Sequence, residues 1–79
     1  MPRYFFDVHD GGPEFDDTGT ELAGPDESYA KARSLLPDIA REEIPRNGDH
    51  RTFTVLVKDE NGQPVYSATL TYAGIRLQR

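Results

Sequence analysis

The fold is decided by residues 51–72, which read RTFTVLVKDENGQPVYSATLTY. Asn61-Gly62 is the pair most favoured in a two-residue β-hairpin turn. Placing the turn there sets Glu60 opposite Gln63, so that the numbers of paired residues add up to 123. The apolar residues of both strands then share one side: Phe53, Val55, Val57, Tyr66, Ala68, Leu70 and Tyr72. A slip of one residue would separate them. We therefore predict an antiparallel hairpin of Arg51–Glu60 and Gln63–Tyr72.

A first strand precedes this hairpin at the beginning of the chain. Residues Arg3–His9 alternate between the two faces of a strand, with aromatic and aliphatic side chains on the predicted core face. Asp10-Gly11-Gly12-Pro13 is a strong turn signal and ends this strand. We expect a short second strand at Glu14–Asp17, with Phe15 pointing into the core.

A helix is predicted between these strands and the hairpin. It begins near Gly24-Pro25, since proline is favoured in the first turn of a helix, and Asp26 and Glu27 then lie at the positive end of the helix dipole. The buried stripe follows helical spacing: Tyr29, Ala32, Leu36, Ile39, Ala40 and Glu43 or Ile44. Pro37 lacks the N–H that would bond to the carbonyl of Arg33, so we expect a kink or a division into two helices there.

The predicted architecture is a single α+β domain over residues 1–79, in the order β-β-α-β-β. One helix, kinked or divided at Pro37, packs on one face of an antiparallel sheet. The strand order 2-1-3-4 keeps every neighbouring pair antiparallel and puts the first strand, which has aromatic residues on both faces, inside the sheet.

Composition limits the classes of partner and the compartment. The chain has no cysteine, which favours a reducing compartment, and we expect a cytoplasmic protein. No apolar run reaches about 18 residues, so we expect no membrane partner. The net charge of −5 disfavours a nucleic-acid partner, because binding phosphates needs clustered Lys and Arg.

The charge is unevenly distributed. Residues 1–27 contain eight acidic side chains and one basic side chain, whereas residues 28–79 contain eight basic and six acidic ones. Such asymmetry can mark a partner surface, and it can equally reflect acidic loops that keep the protein in solution. If it marks a surface, Asp16, Asp17 and Glu21 are candidates for contacting a basic protein.

Candidate chemistry is sparse. Asp7 and His9 share the outer face of the first strand and Asp10 follows, which would suit a metal-assisted hydrolase. No serine or cysteine nucleophile with an evident base accompanies them, and an exposed polar strand face explains them as well. We expect no enzyme activity, no cofactor, no metal and no small-molecule ligand, and we keep the hydrolase as an alternative.

The sheet face opposite the helix is the leading candidate surface. Phe5, Leu56 and Val65 project there among threonines. A contiguous exposed apolar patch usually marks an interaction site, although single exposed apolar residues are normal. We therefore predict a non-enzymatic protein-interaction or regulatory module, with a protein partner or a homodimer formed through the sheet.

Three motifs carry a family resemblance. The chain opens Met1-Pro2-Arg3-Tyr4-Phe5-Phe6, has Gly19-Thr20-Glu21-Leu22 before the helix, and has Asp59-Glu60-Asn61-Gly62 in the hairpin. In these motifs it resembles a family of short bacterial proteins of unknown function. The resemblance covers nearly the whole chain and implies no activity, substrate or catalytic residue.

A second likeness is at the level of the fold. Asp10-Gly11-Gly12 and Tyr29-Ala30-Lys31-Ala32 are similar to the strand turn and following helix of HicB-type antitoxin domains. The resemblance implies an antitoxin-like partner of a basic protein as an alternative function. The DNA-binding segment of that group has no counterpart in this sequence.

Overall fold

The computed structural model describes residues 1–77, except the side chain of Asn47. These residues form five strands and one helix, and the α+β class is confirmed. The elements in chain order are β1 (Arg3–His9), β2 (Pro13–Glu14), β3 (Thr20–Glu21), α1 (Pro25–Asn47), β4 (His50–Lys58) and β5 (Pro64–Ala73).

All strand pairs are antiparallel, and the order β2-β1-β4-β5 confirms the predicted arrangement. The short β3, which was not predicted, pairs with Arg3 and Tyr4 at the beginning of β1. The predicted strand at Glu14–Asp17 is wrong, because β2 ends at Glu14. Phe15 does not point into the core but is 71% exposed. After Glu14 the chain turns away from its partner strand β1, and it pairs with β1 again at β3.

The predicted hairpin register is confirmed from Arg51 to Val57 but not at the turn. Val57 pairs with Tyr66, as predicted, whereas Lys58 pairs with Pro64. Val65 is therefore an extra residue, a β-bulge. The Asp59 carbonyl accepts the N–H of Gly62 at 3.0 Å, so Glu60 and Asn61 are the central turn residues. The loop is one residue longer than predicted, and the bulge restores the register.

The hairpin turn is set by the side chain of Asp59. Its Oδ1 accepts the N–H of Asn61 at 2.9 Å and that of Gln63 at 3.0 Å. Gly62 has φ +79°, the conformation that follows the turn in three-residue hairpin loops. These bonds favour the longer loop over the two-residue turn.

The helix α1 is continuous from Pro25 to Asn47, so the predicted division at Pro37 is wrong. Pro37 is exposed, so water can solvate the carbonyl left without a helical donor. Leu36 and Ala40 are buried on either side of it against the sheet. This packing anchors the helix to the sheet on both sides of Pro37.

The core lies between α1 and the inner face of the sheet. Phe53, Val55 and Val57 of β4 are completely buried. The helix contributes Ala32, Leu36 and Ala40, as predicted, and β1 contributes Tyr4 and Phe6. Each fully buried side chain of the size of Val or Phe stabilises the fold by about 1.5–3 kcal/mol. Within the described residues, no helix combines the length and apolarity that a membrane crossing requires.

Candidate functional site

The predicted outer-face surface is only partly open. Phe5 and Leu56 lie half-buried on the face that α1 does not cover, and the bulged Val65 is 36% exposed. Phe5 pairs across the sheet with Lys58 and Leu56 pairs with Asp7, so charged residues separate the apolar ones. The structure places all three residues where a partner could touch them, but not as one apolar patch.

An ion-paired cluster interrupts this face. Asp7 is only 2% exposed, although it lies on the side away from the helix. Its Oδ2 lies 2.6 Å from Nζ of Lys58, and its Oδ1 accepts the N–H of Asp16 at 2.9 Å. Lys58 also lies over the ring of Phe15, 5.9 Å from its centre. Both oxygens of the Asp7 carboxylate are therefore used within the fold.

The three predicted acidic contact residues have different environments. The Asp16 carboxylate accepts the N–H groups of Phe6, Thr18 and Gly19 at 3.0, 3.1 and 3.0 Å. Glu21 pairs with Arg3 at 2.9 Å, and Asp17 is exposed. Asp16 is thus engaged in holding the 15–19 loop.

The pKa of Asp16 reflects these bonds. Its partial burial acts to raise the pKa, but the N–H groups of Gly19, Phe6 and Thr18, with the charge of Lys31, outweigh burial and lower the pKa below its usual value. The carboxylate is therefore stabilised in its ionised form.

The residues of the hydrolase alternative do not form a metal centre. Asp7 is paired with Lys58, Asp10 is paired with Arg51, and His9 is exposed. No group of three or more His, Asp or Glu side chains within residues 1–77 is arranged to hold a metal ion. The geometry therefore provides no metal site for that alternative in this part of the chain.

A groove that was not predicted opens between α1 and the turn joining β1 to β2. Its volume is about 480 Å³. The lining residues are Val8, Asp10, Gly12, Glu14, Leu35, Asp38, Ile39, Glu42 and Glu43. Five of these nine residues carry a carboxylate and none carries a positive charge, while Val8, Leu35 and Ile39 provide apolar surface. The groove is therefore acidic with an apolar component.

The helix supplies most of the groove. Leu35, Asp38, Ile39, Glu42 and Glu43 follow the spacing i, i+3, i+4, i+7 and i+8, which places them on one face. That spacing was available in the sequence. The opposite wall of the groove could not be predicted from the sequence, because it depends on where β1 and β2 place Asp10 and Glu14.

Asp10 and Asp38 are each partly neutralised by an ion pair. Asp10 pairs with Arg51, which is itself largely buried and lies over the ring of Phe53, 5.2 Å from its centre. Asp38 pairs with the exposed Arg41 at 2.9 Å. Glu14 and Glu42 form no ion pair with any residue that the structure describes. They leave negative charge on opposite walls of the groove.

The fold and the groove define a class of protein: a small α+β domain with one helix on an antiparallel sheet and an acidic groove beside that helix. Residues 3–71 match the family described as a domain of unknown function, DUF6894, and the chain belongs to this family. The resemblance to a family of unknown function is thereby confirmed. No curated protein and no solved structure matches the chain.

Proposed function

We propose that this domain is a non-enzymatic protein-interaction module whose groove binds a basic, amphipathic segment of a partner protein. The observation that carries the proposal is the groove itself, in which carboxylates on the helix and on β2 flank Val8, Leu35 and Ile39. This combination matches a chain that alternates Lys or Arg with apolar side chains.

Electrostatics supports a basic partner. Glu14 and Glu42 stand on opposite walls without an ion pair among the described residues, so a cationic side chain between them would be attracted by both. The net charge of −5 adds long-range attraction, which raises the association rate of an oppositely charged partner.

The apolar residues of the groove supply binding free energy that exposed ion pairs alone do not provide. Val8, Leu35 and Ile39 are partly buried against the core and still line the groove. A partner side chain such as Leu would remove more of their surface from water, at about 25 cal/mol per Å². Exposed ion pairs are worth about 0–1 kcal/mol each, so this apolar contact is needed for stable binding.

The experiment measures binding of a synthetic amphipathic peptide of alternating Lys and Leu by isothermal titration calorimetry. The variant Glu14→Gln/Glu42→Gln removes two charges from the groove. The control Asp17→Asn/Glu60→Gln removes two charges from exposed positions elsewhere. We expect the groove variant to lose about tenfold or more in affinity, equivalent to about 1.4 kcal/mol, and the control to bind like the wild type.

Two results would overturn the proposal. The first is no binding of the peptide at low salt. The second is an equal loss in both variants, which would show attraction to net charge and not to the groove. A peptide with Glu in place of Lys should not bind, and higher salt should weaken binding of the Lys peptide to the wild type.

A further inference from the structure

We propose that two copies of this chain join edge to edge through β5, forming one continuous sheet with both helices on the same face. The proposal concerns a surface separate from the groove, which lies beside α1 and β2. It rests on the composition of β5, on its position at the end of the sheet, and on the sequence that follows it.

The β5 strand is an open edge. It is the last strand in the order β2-β1-β4-β5, and within residues 1–77 it pairs only with β4. Its ten residues, Pro64–Ala73, include no charged residue. Leu70 and Tyr72 are 36% and 39% exposed. An uncharged edge of this length presents backbone N–H and C=O groups that another strand can pair with.

The other end of the sheet is protected. The strands β2 and β3 have two residues each, and the loop between them carries Asp16 and Asp17. Between these two short strands, the Asp16 carboxylate accepts the N–H of Phe6, which is then not free to pair with another strand. Charges and short strands are the usual ways in which proteins block an edge. On β5, Pro64 and the bulge at Val65 guard only the first two residues.

A second copy is the occupant that this edge fits. Two antiparallel copies of one strand place like residues near each other across a two-fold axis, so any charge near the centre would repel its own copy. The β5 strand has none. Thr69 is one of the two central residues of its regular part, Tyr66–Ala73, and in symmetric pairing about it Thr69 lies close to the Thr69 of the second copy.

The segment after β5 adds charge complementarity. Ile75 and Leu77 are 82% and 93% exposed. When β5 overlaps its copy in antiparallel fashion about Thr69, residues 75–77 continue alongside the hairpin turn of the second copy. Within one copy, Arg76 forms an exposed ion pair with Asp49 at 2.9 Å, a kind of pair worth about 0–1 kcal/mol. In the dimer it also approaches the acidic Asp59 and Glu60 of that turn. Because each copy has one open edge among the strands of residues 1–77, assembly ends at the dimer.

The test combines analytical ultracentrifugation with charged variants of Thr69. The wild type should sediment as a dimer, and Thr69→Lys and Thr69→Glu should each shift toward monomer through repulsion between copies. An equimolar mixture of the two variants should form heterodimers. Thr52→Lys is the matched control, because Thr52 is exposed on the same face of β4, one strand in from the edge. It should remain dimeric.

Measurements on the wild type test the proposal even if the variants misfold. Edge N–H groups of β5 should exchange with solvent more slowly as protein concentration rises. Wild-type protein that stays monomeric at about 1 mM, where even weak complexes form, would overturn the proposal. Loss of the dimer in Thr52→Lys would place the dimer interface on the outer face of the sheet and contradict pairing through the β5 edge. A mixture of the Lys and Glu variants that stays monomeric would also contradict pairing through β5.

Discussion

The carboxylate of Asp16 accepts the backbone N–H of Phe6 at 3.0 Å, across ten residues of sequence. Phe6 lies between the part of β1 that pairs with β2 and the part that pairs with β3. A side chain therefore takes the place that a strand backbone would fill. A second hydrogen bond joins the same two segments, because the N–H of Asp16 donates to the carboxylate of Asp7.

Asp16→Ala should destabilise the fold by about 2–3 kcal/mol, because three N–H groups lose a charged acceptor and water can replace only part of it. Urea unfolding followed by circular dichroism measures the effect. Asp17→Ala is the control, since among the residues that the structure describes its exposed carboxylate contacts only the hydroxyl of Thr18, at 3.4 Å. Its effect should stay within about 0.5 kcal/mol. Equal losses in both variants would contradict the role of Asp16.

Stability should fall below about pH 4 through the titration of Asp16. The pKa of Asp16 is lower in the folded state than its usual 3.8, so the unfolded chain takes up the proton first as the pH falls. The stabilisation is therefore complete above the unfolded pKa and is lost as the pH falls through the folded pKa. Unfolding free energies of wild type and Asp16→Asn, measured from pH 7 to pH 2, should converge at low pH. Parallel curves would refute this.

Lys58→Met should destabilise the fold by about 3 kcal/mol, because it leaves the buried carboxylate of Asp7 without its cation. The double variant Asp7→Asn/Lys58→Met removes the uncompensated charge and should recover part of the loss. Chemical unfolding of both single variants and the double variant yields the coupling energy. Arg41→Met breaks the exposed pair with Asp38 and serves as the control, with a change within about 0.5 kcal/mol. Additive effects of Asp7 and Lys58 would contradict the pairing.

Gly19→Ala should cost more than Gly11→Ala, although both glycines have positive φ, +78° and +80°. A Cβ on Gly19 would lie 2.7 Å from Cγ of Arg3 and 2.9 Å from a ring carbon of Phe5. A Cβ on Gly11 meets nothing within 4 Å. Gly11→Ala should therefore show only the backbone cost, about 1–2 kcal/mol, and Gly19→Ala should exceed it. Thermal unfolding compares them, and equal losses would rule out the predicted clash.

Pro37→Ala should stabilise the protein by about 1–2 kcal/mol, since it restores an N–H inside a continuous helix and the greater freedom of the unfolded chain offsets only part of that gain. Pro25→Ala is the matched control. Pro25 is the first residue of α1, where no helical bond is missing, so the substitution should bring no gain. A Pro37→Ala variant no more stable than the wild type would show that the helix tolerates the missing bond without cost.

The acidic groove shows how far a site can be predicted in this chain. The helix wall, with Leu35, Asp38 and Ile39, follows from local spacing. The wall formed by Asp10 and Glu14 does not, because those residues reach the groove only through the pairing of β2 with β1. A pattern along one element cannot show which other element faces it.

The sequence by itself determined the α+β class, the extent of β1, the inner face of the hairpin and its register away from the turn. These follow from alternation and helical spacing, which depend on neighbouring residues in the chain. The tertiary structure alone decided the continuity of α1 through Pro37, the added strand β3, the loop around Asp59 and the exposure of Phe15. Each depends on contacts between distant residues, such as Asp16 with Phe6 and Leu36 with the sheet, whose energies outweigh local preference.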